Sequence, residues 1–363
     1  MVTISLCMIV KNEEEVLDRC LNPIKDVIDE IIIVDTGSDD KTKEIAAKYT
    51  NKIFDFTWID DFSAARNVSF DKTTMEYIMW LDADDVFLEE DINKLKKLKE
   101  NLDTSINYAT MIYNLDFDEL GNVKLSNRRV RLVKKENNYK WCGVVHEYID
   151  IRKDKNSINS DVCVTHKKLK PSGERNIEIY RKKMKEGEEF SPRDYHCYAN
   201  ELAYRKYYKE AIEGYEKFLD LEWSLRDKIT ACSSLADCYF AIKDIEKAKM
   251  TSLRSFLYGT PRAEQCCKLG FYFFTENNLD SSVYWYKAAL ELEKPDESWE
   301  LINDACWSWL PHLQLSLCYM KSGDYELAKQ HNEKVKEIRP NDKTVALNEG
   351  LIEKLIKLRK DKE

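Results

Sequence analysis

The stretch EYIMWLDADD, residues 76–85, decides the predicted fold of the first half of this 363-residue chain. Its apolar run ends at Leu81, and Asp82, Asp84 and Asp85 follow at once. An apolar run that stops at an acidic turn is typical of a parallel strand that is covered on both faces. In open α/β sheets, ligands bind outside the carboxyl ends of the strands. The stretch therefore predicts a buried strand with functional residues directly after it.

Three similar runs precede this strand, and helix-favouring segments separate them. The runs are VTISLCMIV (2–10), EIIIVD (30–35) and KIFDF (52–56). Such alternation predicts an α/β domain with a mostly parallel sheet and helical crossovers. Polar clusters again follow the runs, as Lys11-Asn12-Glu13, Asp35-Thr36-Gly37-Ser38 and Asp60-Asp61-Phe62. We expect these clusters to share one edge of the sheet. Further strand-like segments occur at 108–117, 122–135, 139–149 and 161–167, with a hairpin turn at 118–122.

From about residue 191 the period of the sequence changes. The pattern LADCY (235–239) recurs as LGFYF (269–273) and LSLCY (315–319), with YANEL (198–202) as a looser copy. A small residue stands nine positions after each pattern, namely Ala211, Ala248, Ser282 and Ala328. Pro261 and Pro295 lie 34 residues apart, which matches the period of tetratricopeptide helix pairs. These features predict a helical solenoid with an insertion before the fourth unit and a capping helix at 344–360.

Composition excludes several classes of protein. Hydrophobic residues make up 43% of the chain, which is ample for two folded domains, and the net charge of −9 argues against a nucleic-acid binder. No run approaches the roughly 20 apolar residues of a transmembrane helix, and we read the opening run as a strand and not as a signal peptide. The 11 cysteines include no C-x-x-C pair, which indicates a reducing cytoplasm.

Asp82 and Asp84 stand two positions apart in a turn, so both carboxylates can reach one ligand. A hard divalent cation, Mg²⁺ or Mn²⁺, held by one or two carboxylates and by substrate phosphates fits this pattern. The alternative is an acidic turn in front of a helix at 88–101, where negative charge suits the helix N-terminus. The strand-end clusters elsewhere favour the functional interpretation.

Taken together, four strings resemble a family 2 glycosyltransferase with a GT-A fold: ISLCMIVKNEEEVLDRCL, EIIIVDTGSDDKTKEIA, DDFSAARN and YIMWLDADD. The later strings RRVRLVKK, WCGVVHEYI and VTHK resemble the subgroup of lipooligosaccharide core glucosyltransferases and sublancin-type peptide S-glycosyltransferases. The latter also carry a tetratricopeptide-like extension. The resemblance covers 1–167 in order, and the remainder in architecture only. It implies a metal-dependent, inverting glycosyltransferase that uses a UDP-sugar.

The resemblance also implies roles for individual residues. Val10, Asn12 and Glu14 would line the uracil and ribose pocket, Asp35 would contact the base, and Ser38 and Asp40 would shape that turn. Arg66 and Asn67 match a step that faces the donor, Asp82 would approach the ribose, and Asp84 would bind the metal. Two of these residues also have a structural interpretation. Asp35 would then begin a plain strand-to-helix turn, and Arg66 would form a structural ion pair.

The pair His146-Glu147 is the strongest candidate for chemistry in the second part of this domain. In a strand the two side chains point to opposite faces, unless a bend intervenes. We expect His146 to contact the metal or diphosphate and Glu147 to act as general base, although the roles can be exchanged. His166 resembles a second histidine of the subgroup. Among Arg128, Arg129 and Arg131, one guanidinium, best Arg129, is expected to face the cleft, unless the three form a solvated basic face.

These observations predict three parts: a GT-A catalytic domain at 1–170, a linker or helix at 171–190, and an all-α tetratricopeptide-like solenoid at 191–363. The expected reaction moves a sugar, of the glucose or N-acetylglucosamine type, from a UDP-sugar to a peptide or protein bound partly by the repeats. Trp299 and Tyr325 are candidate anchors, although aromatics more often pack between repeats. A glycan acceptor and an inactive scaffold are the alternatives. The sequence leaves the acceptor atom and the oligomeric state open, a homodimer included.

Overall fold

A computed structural model describes residues 1–119, 121–151, 154–167, 169, 173–294 and 302–360. These residues divide into two compact units. The first runs to Glu189 and takes in Ile302, and the second begins at Phe190. The predicted division into 1–170, 171–190 and 191–363 stays a prediction.

The first unit is a mixed α/β structure. Its strands are β1 Ile4–Val10, β2 Glu30–Asp35, β3 Ile53–Asp55, β4 Tyr77–Trp80, β5 Asp85–Val86, β6 Tyr108–Phe117, β7 Val123–Lys134, β8 Trp141–Cys142, β9 Tyr148–Ile149 and β10 Ser157–His166. Its helices are α1 Leu17–Leu21, α2 Thr42–Ala46, α3 Phe62–Asp71, α4 Glu89–Asn101 and α5 Arg175–Lys185, with a 3₁₀ turn at Lys135–Asn137.

The main sheet has the strand order β3-β2-β1-β4-β7-β6-β10-β5. Strand β1 is parallel to both β2 and β4, as the alternating pattern predicts. The long hairpin β6–β7 then enters the sheet, and β7 pairs antiparallel with β4. Strand β5 pairs antiparallel with β10, so the residues that follow β4 lie beside the end of β10. The sheet is therefore parallel on one side and mixed on the other.

The core of this unit follows from the apolar runs. Every residue of β2 and β4 is buried, and Ile4, Leu6 and Met8 of β1 have no exposed surface. Central strands covered on both faces must be apolar along their whole length, which is why these runs do not alternate. The core thus fixes the strand ends, and with them the polar clusters that follow.

The segment 139–149 differs from the continuous strand that the sequence predicts. Only β8 and β9 are paired, and 143–147 forms a bend in which Gly143 and His146 have φ values of 92° and 54°. The backbone of this bend forms a hydrogen bond outside the sheet, in which the Val144 carbonyl accepts from the N–H of Phe62 at 3.0 Å. The bend left open as the alternative for VVHEYI is therefore present, and the side chains do not alternate there, because the backbone turns at Gly143 and enters the left-handed region at His146.

The second unit is helical. Its helices are α6 Pro192–Tyr204, α7 Tyr208–Asp220, α8 Leu225–Ala241, α9 Ile245–Arg254, α10 Ala263–Thr275, α11 Leu279–Glu291, α12 Leu310–Ser322, α13 Tyr325–Ile338 and α14 Lys343–Lys360. Short elements at Ser255–Leu257 and Asp304–Trp307 complete it, and the two-residue strand β11 Ile302–Asn303 stands where the chain passes from the first unit to the second. Successive helices pair as α6–α7, α8–α9, α10–α11 and α12–α13. The predicted helix-pair architecture is confirmed.

The small residues of the repeat lie where helices meet. Ala211, Ala248, Ser282 and Ala328 each have no exposed surface, and the Ser282 hydroxyl donates to the Gly270 carbonyl at 2.8 Å. Tyr325, expected as a possible anchor, is half-buried and packs against a hydrophobic cluster. Trp299 and Pro295 lie outside the described residues. No helix in the described part of the chain is long and apolar enough to cross a membrane.

Candidate active site

A cavity of about 520 Å³ opens where β1 and β4 end. Eight of the predicted site residues line it: Val10, Asn12, Arg66, Asp82, Asp84, Arg129, His146 and Glu147. Four others, Glu14, Asp35, Ser38 and Asn67, do not. His166, Trp58, Phe62 and Arg175 also contribute to the wall. The strand-end clusters therefore meet at one edge of the sheet, as their positions predict.

The loops after β1 and β2 are tied together by side chains. The N–H of Asn12 donates to the Ser38 hydroxyl at 3.0 Å, and the Asn12 carbonyl oxygen Oδ1 accepts from the N–H of Asp39 at 3.0 Å. The Glu14 carboxylate accepts from the N–H of Lys41 at 3.0 Å. Glu14 and Ser38 thus shape the cavity through these loops without lining it, whereas Asn12 reaches its surface.

Asp35 ends β2 and is 1% exposed. Its Oδ1 accepts from the N–H groups of Gly37 and Ser38 at 3.0 and 2.8 Å, which builds a tight turn around Gly37, a residue with φ of 103°. Its Oδ2 is buried and makes no hydrogen bond with any described residue. A buried, unpaired carboxylate oxygen is costly, so this atom is suited to accept from a ligand N–H. Asp35 therefore forms the strand-to-helix turn with one carboxylate oxygen, and its contact with a nucleotide base stays a prediction for the other.

Arg66 of α3 links two carboxylates of the cavity wall. Its Nη2 lies 2.7 Å from Asp82 Oδ1, and its Nε donates to Glu147 Oε1. The guanidinium lies 4.8 Å from the ring centres of both Trp80 and Trp141 and is 6% exposed. Burial alone would lower the pKa of Arg66, but the charges of Glu147 and Asp82 raise it overall. Arg66 is a permanent cation that holds both carboxylates in place.

Asp82 is a fixed anion. Burial raises the pKa of its carboxyl group, but the charges of Arg66 and Arg131 outweigh that effect and lower the pKa to about 2. The N–H of Asp82 donates to Asp85 Oδ2 at 3.0 Å, which fixes the turn. A carboxylate held this way accepts hydrogen bonds and does not exchange protons near neutral pH.

Asn67 has a structural function in this geometry. Its Nδ2 donates to the Trp141 carbonyl at 3.0 Å, and its Oδ1 accepts from the N–H of Trp141 at 2.9 Å. Both the nitrogen and the oxygen of the Asn67 side-chain amide therefore form hydrogen bonds with the backbone of β8. Asn67 pins Trp141 beside Arg66 instead of facing the cavity.

Asp84, Asp85 and His166 have ligand atoms within 4.8 Å of one another, the kind of grouping that can hold a metal ion. The pairing of β5 with β10 sets His166 directly opposite Asp85. His166 Nδ1 lies 3.5 Å from Asp84 Oδ1. His146 is outside this group: it is exposed, in the bend before β9. The structure therefore brings the second histidine of the resemblance to Asp84.

Three residues behind His166 were not singled out correctly from sequence. Arg131 and Asp85, each with no exposed surface, form an ion pair at 3.0 Å. The Tyr113 hydroxyl donates to Asp85 Oδ1 at 2.8 Å and lies 3.0 Å from His166 Nδ1. Asp85 looked like a helix-capping residue, and Tyr113 carried no signal beyond its place in a strand. Proximity to Asp85 and Asp84 raises the pKa of His166, and burial opposes the shift.

The three arginines of β7 separate by face and depth. Arg128 donates to the Ser160 carbonyl at 2.8 Å, and Arg131 is enclosed between Trp80 and Tyr113. Arg129 lines the cavity, and its guanidinium lies 5.2 Å from the centre of the Tyr113 ring. One guanidinium therefore faces the cleft, which is the first of the two predicted alternatives.

Comparisons with known proteins agree with the two units. Residues 5–152 match the model of glycosyl transferase family 2, and 312–342 match a tetratricopeptide repeat model. Glycosyltransferase SunS of Bacillus subtilis is 26% identical over 261 residues, 64% of this chain and 58% of that protein. A TPR repeat-containing protein of Synechococcus elongatus is 37% identical over 150 residues, 41% of this chain and 36% of that protein. The chain thus spans less than two thirds of either relative.

Two solved structures of TPR proteins each resemble about half of the chain. YrrB, described as a TPR protein with an unusual peptide-binding site, gives a TM-score of 0.37 at 20% identity, covering 48% of this chain and 82% of YrrB. A TPR protein of Cytophaga hutchinsonii gives 0.43 at 16% identity, covering 51% and 66%. On the sequence matches, residues 5–152 form a glycosyl transferase family 2 domain, and the helical unit that follows in sequence contains a tetratricopeptide repeat.

Proposed function

We propose that this protein is a metal-dependent, inverting glycosyltransferase that moves a sugar from a UDP-sugar to a peptide or protein side chain. The observation that carries the proposal is the cavity wall itself. It combines Asp84 beside His166, the guanidinium of Arg129, and a carboxylate at Glu147. These groups suit a metal, a diphosphate and an acceptor proton, respectively.

The nucleoside end of the donor would occupy the part of the cavity formed by the loops after β1 and β2. Val10, Asn12 and Thr36 line this part, and Asp35 immediately precedes Thr36. The unpaired Oδ2 of Asp35 suits the N–H of a pyrimidine base. Asp82 would accept from a ribose hydroxyl, because its carboxylate stays ionised.

The residues present fit a divalent cation. Asp85 has its oxygens engaged by Arg131, Tyr113 and the N–H of Asp82, which leaves Asp84 and His166 as the protein ligands. Mg²⁺ is usually held by only one or two protein ligands together with phosphate groups of the substrate. When bound there, the cation offsets the negative charge of the departing diphosphate. We therefore assign to His166 the ligand role expected of His146.

Glu147 is the best candidate for the general base. Its Oε1 is held by Arg66, its side chain is 10% exposed, and it lies in the cavity wall, so Oε2 has a defined position from which to accept a proton. A base of this kind removes the proton of the incoming hydroxyl or thiol as the acceptor attacks the anomeric carbon. His146, exposed at the same wall, would then contact the acceptor or the diphosphate.

The acceptor is inferred from the helical unit. Stacked helix pairs offer extended surfaces suited to peptide chains, and the sequence resembles peptide S-glycosyltransferases. A lipid-linked or cell-surface glycan would require the same catalysis and a different acceptor. We therefore expect transfer to peptides carrying Ser, Thr or Cys, and transfer to glycans alone would overturn this part of the proposal.

The catalytic part is tested by incubating the full chain with a panel of UDP-sugars and Mn²⁺ or Mg²⁺ and measuring release of UDP. We expect hydrolysis that chelator abolishes and that Asp84→Asn removes. Asp116→Asn is the matched control, since Asp116 pairs with Lys124 on the β6–β7 hairpin and does not line the cavity. Absence of hydrolysis and of UDP binding in the wild type would favour an inactive scaffold.

A further inference from the structure

We propose that Tyr113, held by Asp85 and Arg131, is a positioning residue that fixes the ring tautomer of His166, so that the neutral imidazole carries its proton on Nδ1 and presents the lone pair of Nε2. The assignment of that lone pair to a metal rests on the proposed function, and it puts the metal on the Nε2 side of the ring, while the 3.5 Å approach to Asp84 is made by Nδ1. The hydrogen-bond chain itself does not.

The series of hydrogen bonds starts at Asp85, whose carboxylate accepts from three donors. Arg131 Nη1 lies 3.0 Å from Oδ2, the N–H of Asp82 donates to Oδ2 at 3.0 Å, and the Tyr113 hydroxyl lies 2.8 Å from Oδ1. An ionised carboxylate accepts hydrogen bonds and donates none. Tyr113 must therefore spend its single hydroxyl hydrogen on Asp85.

The orientation of the Tyr113 hydroxyl determines which nitrogen of His166 carries the proton. With its hydrogen committed, the Tyr113 oxygen can only accept, and His166 Nδ1 lies 3.0 Å away. The other oxygens near Nδ1, at 3.5 Å in Asp84 and 3.7 Å in Asp85, are also acceptors. A lone pair on Nδ1 would face all three, so Nδ1 carries the hydrogen. In a neutral imidazole the free lone pair then belongs to Nε2.

The surroundings keep this chain rigid. The Arg131 guanidinium lies 3.8 Å from the centre of the Trp80 ring and 4.4 Å from that of Tyr113. Its Nε and Nη2 are buried and form no hydrogen bond with any described residue. Burying an arginine with two unpaired donor atoms is costly. This cost points to a role for Arg131 in holding Asp85 and Tyr113, beyond the packing that an apolar side chain would provide.

The test uses Tyr113→Phe in the full chain. Phenylalanine keeps the ring between Arg131 and His166 and removes the acceptor oxygen. The protein is labelled with ¹⁵N-histidine, and His166→Asn identifies the signal of His166. At a pH where this ring is neutral, we expect the wild-type spectrum to show the Nδ1–H tautomer and Tyr113→Phe to show a substantial Nε2–H population. Tyr139→Phe is the matched control, because the Tyr139 hydroxyl also donates to a carboxylate, that of Asp154, away from the cavity lining.

A second measurement is the affinity for Mn²⁺ in the presence of UDP, measured by calorimetry. Loss of an outer-shell partner typically costs 10–100-fold in metal affinity, so we expect a weakening of about that size in Tyr113→Phe and none in Tyr139→Phe. An Nε2–H tautomer in the wild type overturns the inference, even if Tyr113→Phe fails to fold. An unchanged tautomer in a folded Tyr113→Phe does the same. Neither result bears on UDP-sugar hydrolysis, so failure of the proposed function is distinguishable.

Discussion

Arg66 and Glu147 form a buried ion pair although 81 positions separate them in the chain. Their side chains are 7% and 10% exposed, and the same guanidinium also binds Asp82. One residue of α3 therefore sets the positions of a carboxylate that follows β4 and of another that ends the bend at 143–147. Removing a partner from such a pair leaves an uncompensated buried charge.

Arg66→Lys should therefore harm activity and stability together. Lysine keeps the charge but cannot reach two carboxylates in the fork geometry of a guanidinium. We expect kcat to fall about 100-fold through misplacement of Glu147. The free energy of unfolding should fall by about 3 kcal/mol. Steady-state kinetics and urea unfolding measure the two effects. Arg128→Lys is the control, and equal kcat values in the two variants would contradict the positioning role of Arg66.

Asn67→Ala should affect stability more than donor binding. The variant loses two hydrogen bonds to the backbone of Trp141, which should lower the free energy of unfolding by about 2 kcal/mol. Because Asn67 does not line the cavity, the KM for the donor should stay within about twofold of wild type. Asn101→Ala, at an exposed site of α4, serves as the control. A large rise in KM with unchanged stability would restore the donor-facing role expected from the resemblance.

Substitution of His166 and of His146 should have different effects on the affinity for Mn²⁺. His166→Ala is expected to weaken Mn²⁺ binding at least about tenfold, because this ring lies beside Asp84. His146→Ala should leave Mn²⁺ affinity unchanged, since His146 is outside the group of potential ligands. Calorimetry in the presence of UDP distinguishes the variants. The reverse order of effects would return the metal to His146.

Asp82 gives a prediction for acid stability. Its folded-state pKa of about 2 lies below the value of about 3.9 expected in an unfolded chain. The ionised carboxylate therefore stabilises the folded state above about pH 4, and this stabilisation is lost as the pH falls from about 4 towards 2. Asp82→Asn should show a shallower loss of unfolding free energy across that window. Urea unfolding at closely spaced pH values, with Asp116→Asn as control, measures the slopes; parallel curves for Asp82→Asn and wild type would refute the prediction.

Much of the fold could be predicted from local sequence. The apolar run before Asp82 predicted β4, the run at 2–10 predicted β1, and their parallel pairing followed from the helices between them. Likewise, Ala211 and Ala248 occupy buried positions because helix pairs approach closely only at small side chains. In both cases the pattern records which side chains must be buried, and burial is a property that each segment carries by itself.

The site was predicted only in part. Asp84 was singled out by its position after a buried strand, and Arg66 and Glu147 by the family resemblance; these three residues and Arg129 all line the cavity. Sequence misjudged the segment 139–149, since the strand-forming residues around Val144 and Val145 gave no sign that the backbone bonds to Phe62 instead of to a neighbouring strand. Local strand propensity was overridden there by tertiary contacts.

The sequence by itself determined where the strands end, which helices pair, and therefore which edge of the sheet carries the chemistry. Only the tertiary structure decided that His166 lies beside Asp84, and that Tyr113, Asp85 and Arg131 stand behind it. The physical reason is the strand order. The β6–β7 hairpin enters between β4 and β10, and β10 then pairs with β5, so residues from distant parts of the chain meet through a register that no local periodicity encodes.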